Sequence, residues 1–258
     1  MMIYDAMWYP DSHPWKFPDG GTSSFAHWQP DLEVRRMPMA YESDLGGGAP
    51  YEIDREKMRA KVKTLQYLHG AGPGSRLMLD IEDPLYTKLL SSHQYNRVKG
   101  IKLALNALHN VGDMASVSLY NVPPRGVHLT IFQFSTLLTT VEPLLRAFPF
   151  VTFSCYQLPH PSWNDTTIAQ LKMIRGRMNV MGLRDKHLLA FVSCRVDRPM
   201  DQGGWHEVVR IPDMRNHLRA IADTPADGVV FWGPAYADMV HQHALGRELQ
   251  RIRGRAVA

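Results

Sequence analysis

The sequence predicts an α/β fold, a (β/α) TIM-type barrel with seven or eight parallel strands that forms a single domain over residues 1–258. The chain has 258 residues, of which 45% are apolar, enough to bury one large core. Short apolar runs rich in β-branched and aromatic residues alternate with amphipathic stretches, as in βα units. No Gly-rich phosphate-binding turn follows an early run, and this disfavours a doubly wound sheet.

The predicted strands are seven short apolar runs, which are Met2–Trp8, Val34–Tyr41, Leu77–Ile81, Ala115–Tyr120, Phe150–Tyr156, Leu188–Arg195 and Gly228–Trp232. Between them, apolar residues recur with the helical period near residues 58–65, 98–108, 168–178 and 214–221. Residues 9–32 are rich in Pro, Gly, Ser and aromatic residues without that period. This segment is therefore predicted to be a long loop over one face of the barrel.

The composition and charge of the chain disfavour several classes of binding partner and cofactor. The formal net charge is +4, and because no basic stripe is interleaved with aromatic residues, we expect no nucleic-acid partner. No window is long enough to span a membrane, and the N-terminus lacks the basic region of a signal peptide, so a soluble chain is expected. Cys155 and Cys194 lie in apolar runs and predict buried thiols, and His241 and His243 fall on different helix faces, so no metal or cofactor is expected. The sequence leaves the oligomeric state and the compartment open.

The strongest chemical signal is a pair of carboxylates at a strand end. Asp80 and Glu82 follow the run that begins at Leu77, at the end of the strand where barrel active sites lie. The strand period of two predicts both side chains on the same side. Because neighbouring carboxylates drive their pKa values apart, we expect Glu82 to carry a proton and Asp80 to stay charged beside it. A structural alternative stays open, since Asp83-Pro84 is also a turn signal and such carboxylates cap helices.

Other predicted strands end in residues suited to sugars. They are Tyr120, Asn121, Tyr156, Arg195 and Trp232. Aromatic rings stack on the apolar faces of sugars, while amide, guanidinium and hydroxyl groups form hydrogen bonds with their hydroxyls. We therefore predict a substrate groove at this face of the barrel. Trp8, Trp15, Trp28 and Trp163 are either outer sugar subsites or loop anchors.

These motifs resemble the hyaluronidase family of barrel glycosidases and, more loosely, chitinase-like enzymes with a D-x-E strand end. The matching stretches cover about half of the chain at motif level, and they are residues 79–82, 118–121, the strand ending at 156, 190–199 and 228–233. The D-x-E triplet and the Val-Val-Phe-Trp-Gly segment are the most specific. The chain departs from the family in its length, in lacking its disulfide cysteines and in having Ile81 where an aromatic residue is usual.

The resemblance implies roles for individual residues. Glu82 would be the general acid and base, and Asp80 would orient the N-acetyl group of the substrate as an internal nucleophile. Tyr156 would hydrogen-bond that group, and Trp232 would form the floor of the cleavage subsite. These roles describe retaining, substrate-assisted cleavage of an N-acetylhexosamine polysaccharide, a mechanism that needs no nucleophile from the enzyme.

Three alternatives remain open at this point. A barrel lysozyme resembles residues 79–82 and also carries an Asp on its first strand, here Asp5, and it would cleave peptidoglycan. An inverting glycosidase would use a more distant carboxylate such as Asp5, Glu42 or Asp238. A barrel of the same fold can also bind a glycan, or serve a structural role, without catalysis.

Overall fold

The structure is a computed structural model in which residues 1–6, 34–41, 54–68, 76–111, 116–193, 195, 208–232 and 239–255 are described. It is a mixed α/β protein with parallel strands. The strands are β1 (Met2–Asp5), β2 (Val34–Arg36), β3 (Met39–Tyr41), β4 (Arg76–Asp80), β5 (Ser116–Leu119), β6 (Phe150–Ser154), β7 (His187–Val192) and β8 (Gly228–Phe231). All seven predicted runs contain strand residues at these positions, which confirms the parallel α/β prediction.

The helices are α1 (Arg55–Leu68), α2 (Glu82–Leu89), α3 (Gln94–Val111), α4 (Ile131–Thr140), α5 (Glu142–Ala147), α6 (Pro161–Val180), α7 (Ile211–Ala222) and α8 (Met239–Arg255). Four of them, α1, α3, α6 and α7, lie where the helical period predicted them. Of the helices in the described part of the chain, none combines the length and the apolar character that a membrane-crossing segment needs.

The described strands form two sheets, and not the one closed ring that the barrel prediction required. The larger sheet has the order β2-β1-β8-β7-β6, and the smaller has the order β3-β4-β5. In the larger sheet β1 pairs in parallel with β2 and β8, and β8 pairs in parallel with β7. In the smaller sheet β4 pairs in parallel with both neighbours.

The single strand predicted at Val34–Tyr41 is two short strands. The break between them is the point in the sequence where the chain passes from the larger sheet to the smaller one. β2 pairs with β1, whereas β3 pairs with β4. Pro38 lies between them and has no N–H to donate to a ladder, although its carbonyl oxygen accepts a hydrogen bond from Met78 N at 3.0 Å. The proline therefore divides the apolar run into two strands that pair with different neighbours.

The chain divides into two compact units. The first comprises Met1–Arg36, Ser154–Arg175 and Leu188–Ala258, and the second comprises Met37–Phe153 and Gly176–His187. The organisation as one domain with a long loop at 9–32 stays a prediction, and the whole of that loop lies outside the described residues.

The second unit has an aromatic core beneath β5 and residues 150–153 of β6. Phe134, Phe148, Phe150 and Phe153 are fully buried, and the rings of Phe134 and Phe153 meet edge to face with centroids 6.1 Å apart. Within this unit the Ser118 hydroxyl donates a hydrogen bond to Phe150 O. These contacts pack β5 and residues 150–153 of β6 into the core of the second unit.

The first unit has its own core around β1, β7 and β8. Ile3, Phe191 and Phe231 are fully buried there. Cys155 is also buried, as predicted, whereas Cys194 lies outside the described residues. The two sets of predicted site residues are consequently held by two separately packed cores.

Candidate functional site

In the second unit, the site is centred on Asp80, the last residue of β4. Asp80 is in register with Tyr41 at the end of β3. On the other side, Leu79 is in register with Leu119, and Tyr120 N donates to Leu79 O at 2.9 Å, so Tyr120 continues the ladder beside Asp80. Residues paired in register in a parallel sheet point to the same side. The carboxylate of Asp80 therefore lies between two tyrosines on neighbouring strand ends.

Asp80 and the two tyrosines beside it provide hydrogen-bonding groups and aromatic ring faces at one place. Asp80 and Tyr41 are half-buried, whereas Tyr120 is buried. One carboxylate oxygen of Asp80, Oδ1, is buried. A carboxylate flanked by phenol groups is suited to accept hydrogen bonds from sugar hydroxyls or from an amide N–H.

Glu82 does not lie on the strand. β4 ends at Asp80, Ile81 precedes the helix, and Glu82 is the first residue of α2. The strand period of two therefore does not extend to Glu82, and the prediction that Glu82 continues the strand beside Asp80 is wrong. The catalytic roles of Glu82 and Asp80 stay predictions. Pro84 falls in the first helical turn, where its missing N–H costs no helical hydrogen bond, so the turn signal is the start of a helix.

The turn after β5 is held by polar contacts inside the second unit. Asn121 is buried and has a φ of 49°, in the left-handed region that Asn tolerates better than most residues. Its backbone N donates to Thr152 Oγ1 at 3.2 Å, and Thr152 Oγ1 donates to Leu119 O at 3.1 Å. Tyr86 on α2 donates from its hydroxyl to Tyr120 O at 2.6 Å. Tyr120 and Asn121 are thus fixed by both a neighbouring strand and the helix that begins at Glu82.

In the first unit, the structure brings Tyr156 and Trp232 together. Their rings are stacked with centroids 5.7 Å apart and planes inclined by 29°. Tyr156 is buried and follows β6, while Trp232 is half-buried and follows β8. Trp232 N donates to Val192 O at 2.9 Å, which extends the pairing of β8 with β7 by one residue. Two of the predicted substrate-binding residues therefore form one aromatic group.

Arg195 lies three residues beyond Val192, the last residue of β7. Its backbone N donates to Ser193 Oγ at 3.2 Å, and Arg195 forms an isolated antiparallel bridge with Val208. It is half-buried. β7 pairs with β8. Arg195 therefore follows the strand next to β8, and Trp232 follows β8 itself.

Among the alternative carboxylates, the structure describes Asp5 alone. Asp5 is fully buried and in register with Phe231. Because side chains alternate along a strand, Asp5 points to the side opposite to that of Trp232. Glu42 and Asp238 lie outside the described residues, as do Trp8, Trp15 and Trp28. Trp163 lies in α6, with its ring 4.7 Å from that of His160.

Two residues at the site, Tyr41 and Tyr86, were not predicted from the sequence. Tyr41 ends a predicted strand, as Tyr120 and Tyr156 do, and the same reasoning applied to that strand end would have found it. Tyr86 lies in a helix that was not predicted, because Asp83-Pro84 was interpreted as a turn. Its contact with Tyr120 spans 34 residues of sequence, and no local pattern signals such a contact.

Comparison with protein families and with curated proteins gave no match: no family model fits the chain, and no curated protein sequence matches it.

Three similar solved structures are distant from this chain in sequence. A crystal structure of bee venom hyaluronidase is 14% identical, with a TM-score of 0.56 over 86% of this chain and 88% of that chain. Bee venom hyaluronidase in complex with a hyaluronic acid tetramer is 14% identical, with a TM-score of 0.46 over 97% and 87% of the two chains. A GH6 enzyme of Orpinomyces sp. Y102 is 12% identical, with a TM-score of 0.41 over 76% and 61%. On the first of these comparisons, the chain has a fold like that of bee venom hyaluronidase.

Proposed function

We propose that the chain is a glycoside hydrolase that cleaves a polysaccharide containing N-acetylhexosamine. The observation that carries the proposal is the position of Asp80 between Tyr41 and Tyr120, at the carboxyl ends of three neighbouring parallel strands. Barrel enzymes place their catalytic groups at this end of their strands. The fold shared with a hyaluronidase supports the same assignment by analogy.

The chemistry that we propose is retaining and substrate-assisted. Glu82 donates its proton to the glycosidic oxygen as the bond from that oxygen to the anomeric carbon breaks. The carbonyl oxygen of the neighbouring acetamido group attacks the anomeric carbon, and Asp80 accepts a hydrogen bond from the acetamido N–H and stabilises the positive charge that develops on it. Water, deprotonated by Glu82, then opens the cyclic intermediate and restores the acetamido group.

The substrate contacts in this proposal come from strand-end aromatic residues and their polar neighbours. Trp232, stacked on Tyr156, offers a ring face to the apolar face of a sugar. Tyr120, Asn121 and Arg195 supply hydrogen-bonding groups at other strand ends. The partner is therefore a polysaccharide or an oligosaccharide, and the reaction needs no cofactor.

The lysozyme alternative has less support. It requires an aspartate on the first strand that faces the substrate, whereas Asp5 is fully buried and points away from the side of Trp232. A buried carboxylate is unfavourable unless neighbouring protein groups form hydrogen bonds or ion pairs with it. Asp5 is therefore better suited to a structural role than to contact with a substrate.

The proposal is tested by incubating the purified chain with hyaluronan, chitin oligosaccharides and peptidoglycan and measuring new reducing ends. We expect at least one of these polymers to be cleaved, and we expect proton NMR of the first product to show the same anomeric configuration as the substrate. Cleavage with inversion would contradict the substrate-assisted mechanism. Absence of cleavage of all three polymers would contradict the proposed activity.

A further inference from the structure

We propose that a groove between α6 and α7 in the first unit is a binding subsite for an uncharged oligosaccharide. The choice of ligand rests on the proposed function, but the groove is not part of the strand-end site described above. Its volume is about 460 Å³, within the range of roughly 300–1,000 Å³ that small-ligand pockets occupy.

The walls of the groove are held in place by contacts inside the first unit. Asn164 on α6 accepts a hydrogen bond from Leu158 N at 2.8 Å and donates from Nδ2 to Leu158 O at 3.2 Å. This pair of bonds closes the turn that leads from β6 to α6. On the opposite wall, the buried His217 of α7 is hydrogen-bonded through Nε2 to Cys155 O. The groove is therefore built before a ligand arrives, which lowers the entropic cost of binding.

The groove presents polar groups that lack a strong internal partner. Gln157 lines it, and its Oε1 is buried without a hydrogen bond to any described residue. A buried amide oxygen without a partner is unfavourable, so a rotation of the Gln157 side chain that exposes Oε1 to a ligand hydroxyl would relieve that cost. Asp165 on α6 and Asn216 on α7 are exposed at the two walls. A carboxylate and an amide on facing helices are suited to the several hydroxyl groups of a sugar ring.

Apolar residues complete the lining. Pro159, Pro161 and Ile168 lie on the side of α6, and Ala220 lies on the side of α7. Sugars carry apolar C–H faces between their hydroxyl groups, so a groove with both characters matches them better than it matches a small ion. The mixed lining therefore favours a carbohydrate ligand over an inorganic anion or cation.

The charges of the groove favour an uncharged glycan. Arg210 Nε donates to Asp213 Oδ2 at 2.7 Å, so this cation is already neutralised by a carboxylate that also lines the groove. Asp165 then leaves the groove with an excess of one negative charge. A glycan with uronate or sulfate groups would meet like charge there, which weakens its binding. An oligomer of uncharged N-acetylhexosamine would not.

The groove is connected in sequence to the stacked aromatic residues. Gln157 follows Tyr156 directly in the chain, and Tyr156 stacks on Trp232. Both features lie in the first unit. A longer oligosaccharide that contacts the stacked rings therefore has a second place to bind, which predicts that the affinity increases with oligomer length.

The test measures binding by calorimetry with the Glu82→Gln protein, so that the ligand is not cleaved. Chitohexaose and a hyaluronan hexasaccharide are the probes, and Asp165→Ala combined with Asn216→Ala is the groove variant. The control combines Asn179→Ala with Asp185→Ala, which removes the same two side-chain types at exposed positions elsewhere. We expect the groove variant to bind chitohexaose about tenfold more weakly, as expected for the loss of one or two hydrogen bonds, and the control to be unchanged.

The outcomes separate this inference from the proposed function, provided that hydrolysis by the unmodified chain is measured in parallel. Equal affinity of the groove and control variants for chitohexaose would overturn the inference, even if the unmodified chain cleaves a polymer. Weaker binding by the groove variant would support it, even if no polymer is cleaved. Tighter binding of the hyaluronan hexasaccharide than of chitohexaose by the Glu82→Gln protein would overturn the preference for an uncharged ligand. Asp165→Asn alone is expected to weaken chitohexaose binding in the same direction.

Discussion

The ring of Tyr156 lies against the ring of Trp232, 5.7 Å away between centroids and inclined by 29°. These residues follow β6 and β8, which are separated in the sheet by β7. Their contact joins two strand ends that are not hydrogen-bonded neighbours. It also restricts the orientation of the Trp232 ring.

Replacing Trp232 tests this aromatic group. If a substrate sugar stacks on it, Trp232→Ala is expected to raise KM for a cleaved oligosaccharide on the order of tenfold, the usual effect of losing a stacked ring. Tyr95→Ala, which removes an exposed aromatic residue of α3, is the control and should leave KM unchanged. Equal kinetic parameters for the two variants would remove Trp232 from the substrate site.

Thr152 is expected to stabilise the turn at Asn121. Its hydroxyl accepts from Asn121 N and donates to Leu119 O, so Thr152→Val loses both bonds at constant shape. We expect the free energy of unfolding to fall by about 1–3 kcal/mol, because a buried N–H and a carbonyl group lose their partner. Urea unfolding measures the change. Thr136→Val, at an exposed helix position, should change stability far less, and a comparable loss there would show that the Thr152 bonds are not the cause.

Asp227 is expected to stabilise the first unit through two contacts. Its Oδ2 accepts a hydrogen bond from Leu188 N at 2.7 Å and forms an ion pair with Arg175. Arg175 is nearly buried, so Asp227→Ala would leave its charge without that carboxylate, at a cost of about 2 kcal/mol. Asp223→Ala, at a nearby exposed position, is the matched control in thermal unfolding. No difference in midpoint between the two variants would contradict the prediction.

The ionisation of Glu248 is expected to make the stability of the folded chain depend on pH in the acidic range. Burial by itself would raise the pKa of Glu248, but hydrogen bonds and charge from Arg219 and Arg251 outweigh it and hold the pKa below the ordinary value of 4.5. A carboxyl group with a lowered pKa in the folded state stabilises that state at pH values above its ordinary pKa, and this contribution is lost as the pH falls through the lowered value.

We therefore expect Glu248→Gln to lower the melting temperature at pH 7 and to reduce the further loss that the unmodified chain shows between pH 5 and more acidic values. Melting curves across this range measure the effect. Parallel curves for the two proteins, with a constant difference at all pH values, would show that Glu248 does not titrate in this way.

Local sequence patterns predicted most of the parallel strands and the residues at their ends. The apolar run that ends at Asp80 is a strand because its side chains are buried on both sides, and Leu77, Met78 and Leu79 are all buried. The same kind of pattern predicted Tyr120, Tyr156 and Trp232 at the ends of their strands, because parallel strands end at a common edge.

The errors have local physical causes. Pro38 interrupts an apolar run without changing its hydropathy, so the pattern predicted one strand where two occur. Pro84 lies in the first turn of α2. Because proline occurs both in tight turns and in the first turn of helices, the sequence did not show that Glu82 belongs to α2 and not to the preceding strand. The groove between α6 and α7 combines Gln157 and Asp165 with Asn216, which lies 51 residues beyond Asp165, and the three residues show no common period.

The most direct test of the account compares Glu82→Gln with Glu56→Gln, a matched change at an exposed position of α1. Hydrolysis of the polymer that the unmodified chain cleaves is measured for both, together with their melting temperatures. We expect Glu82→Gln to lose at least about a hundredfold in kcat, the usual contribution of a general acid and base, with an unchanged melting temperature. We expect Glu56→Gln to retain full activity. Full activity in Glu82→Gln would contradict the proposed role of Glu82 and the mechanism built on it.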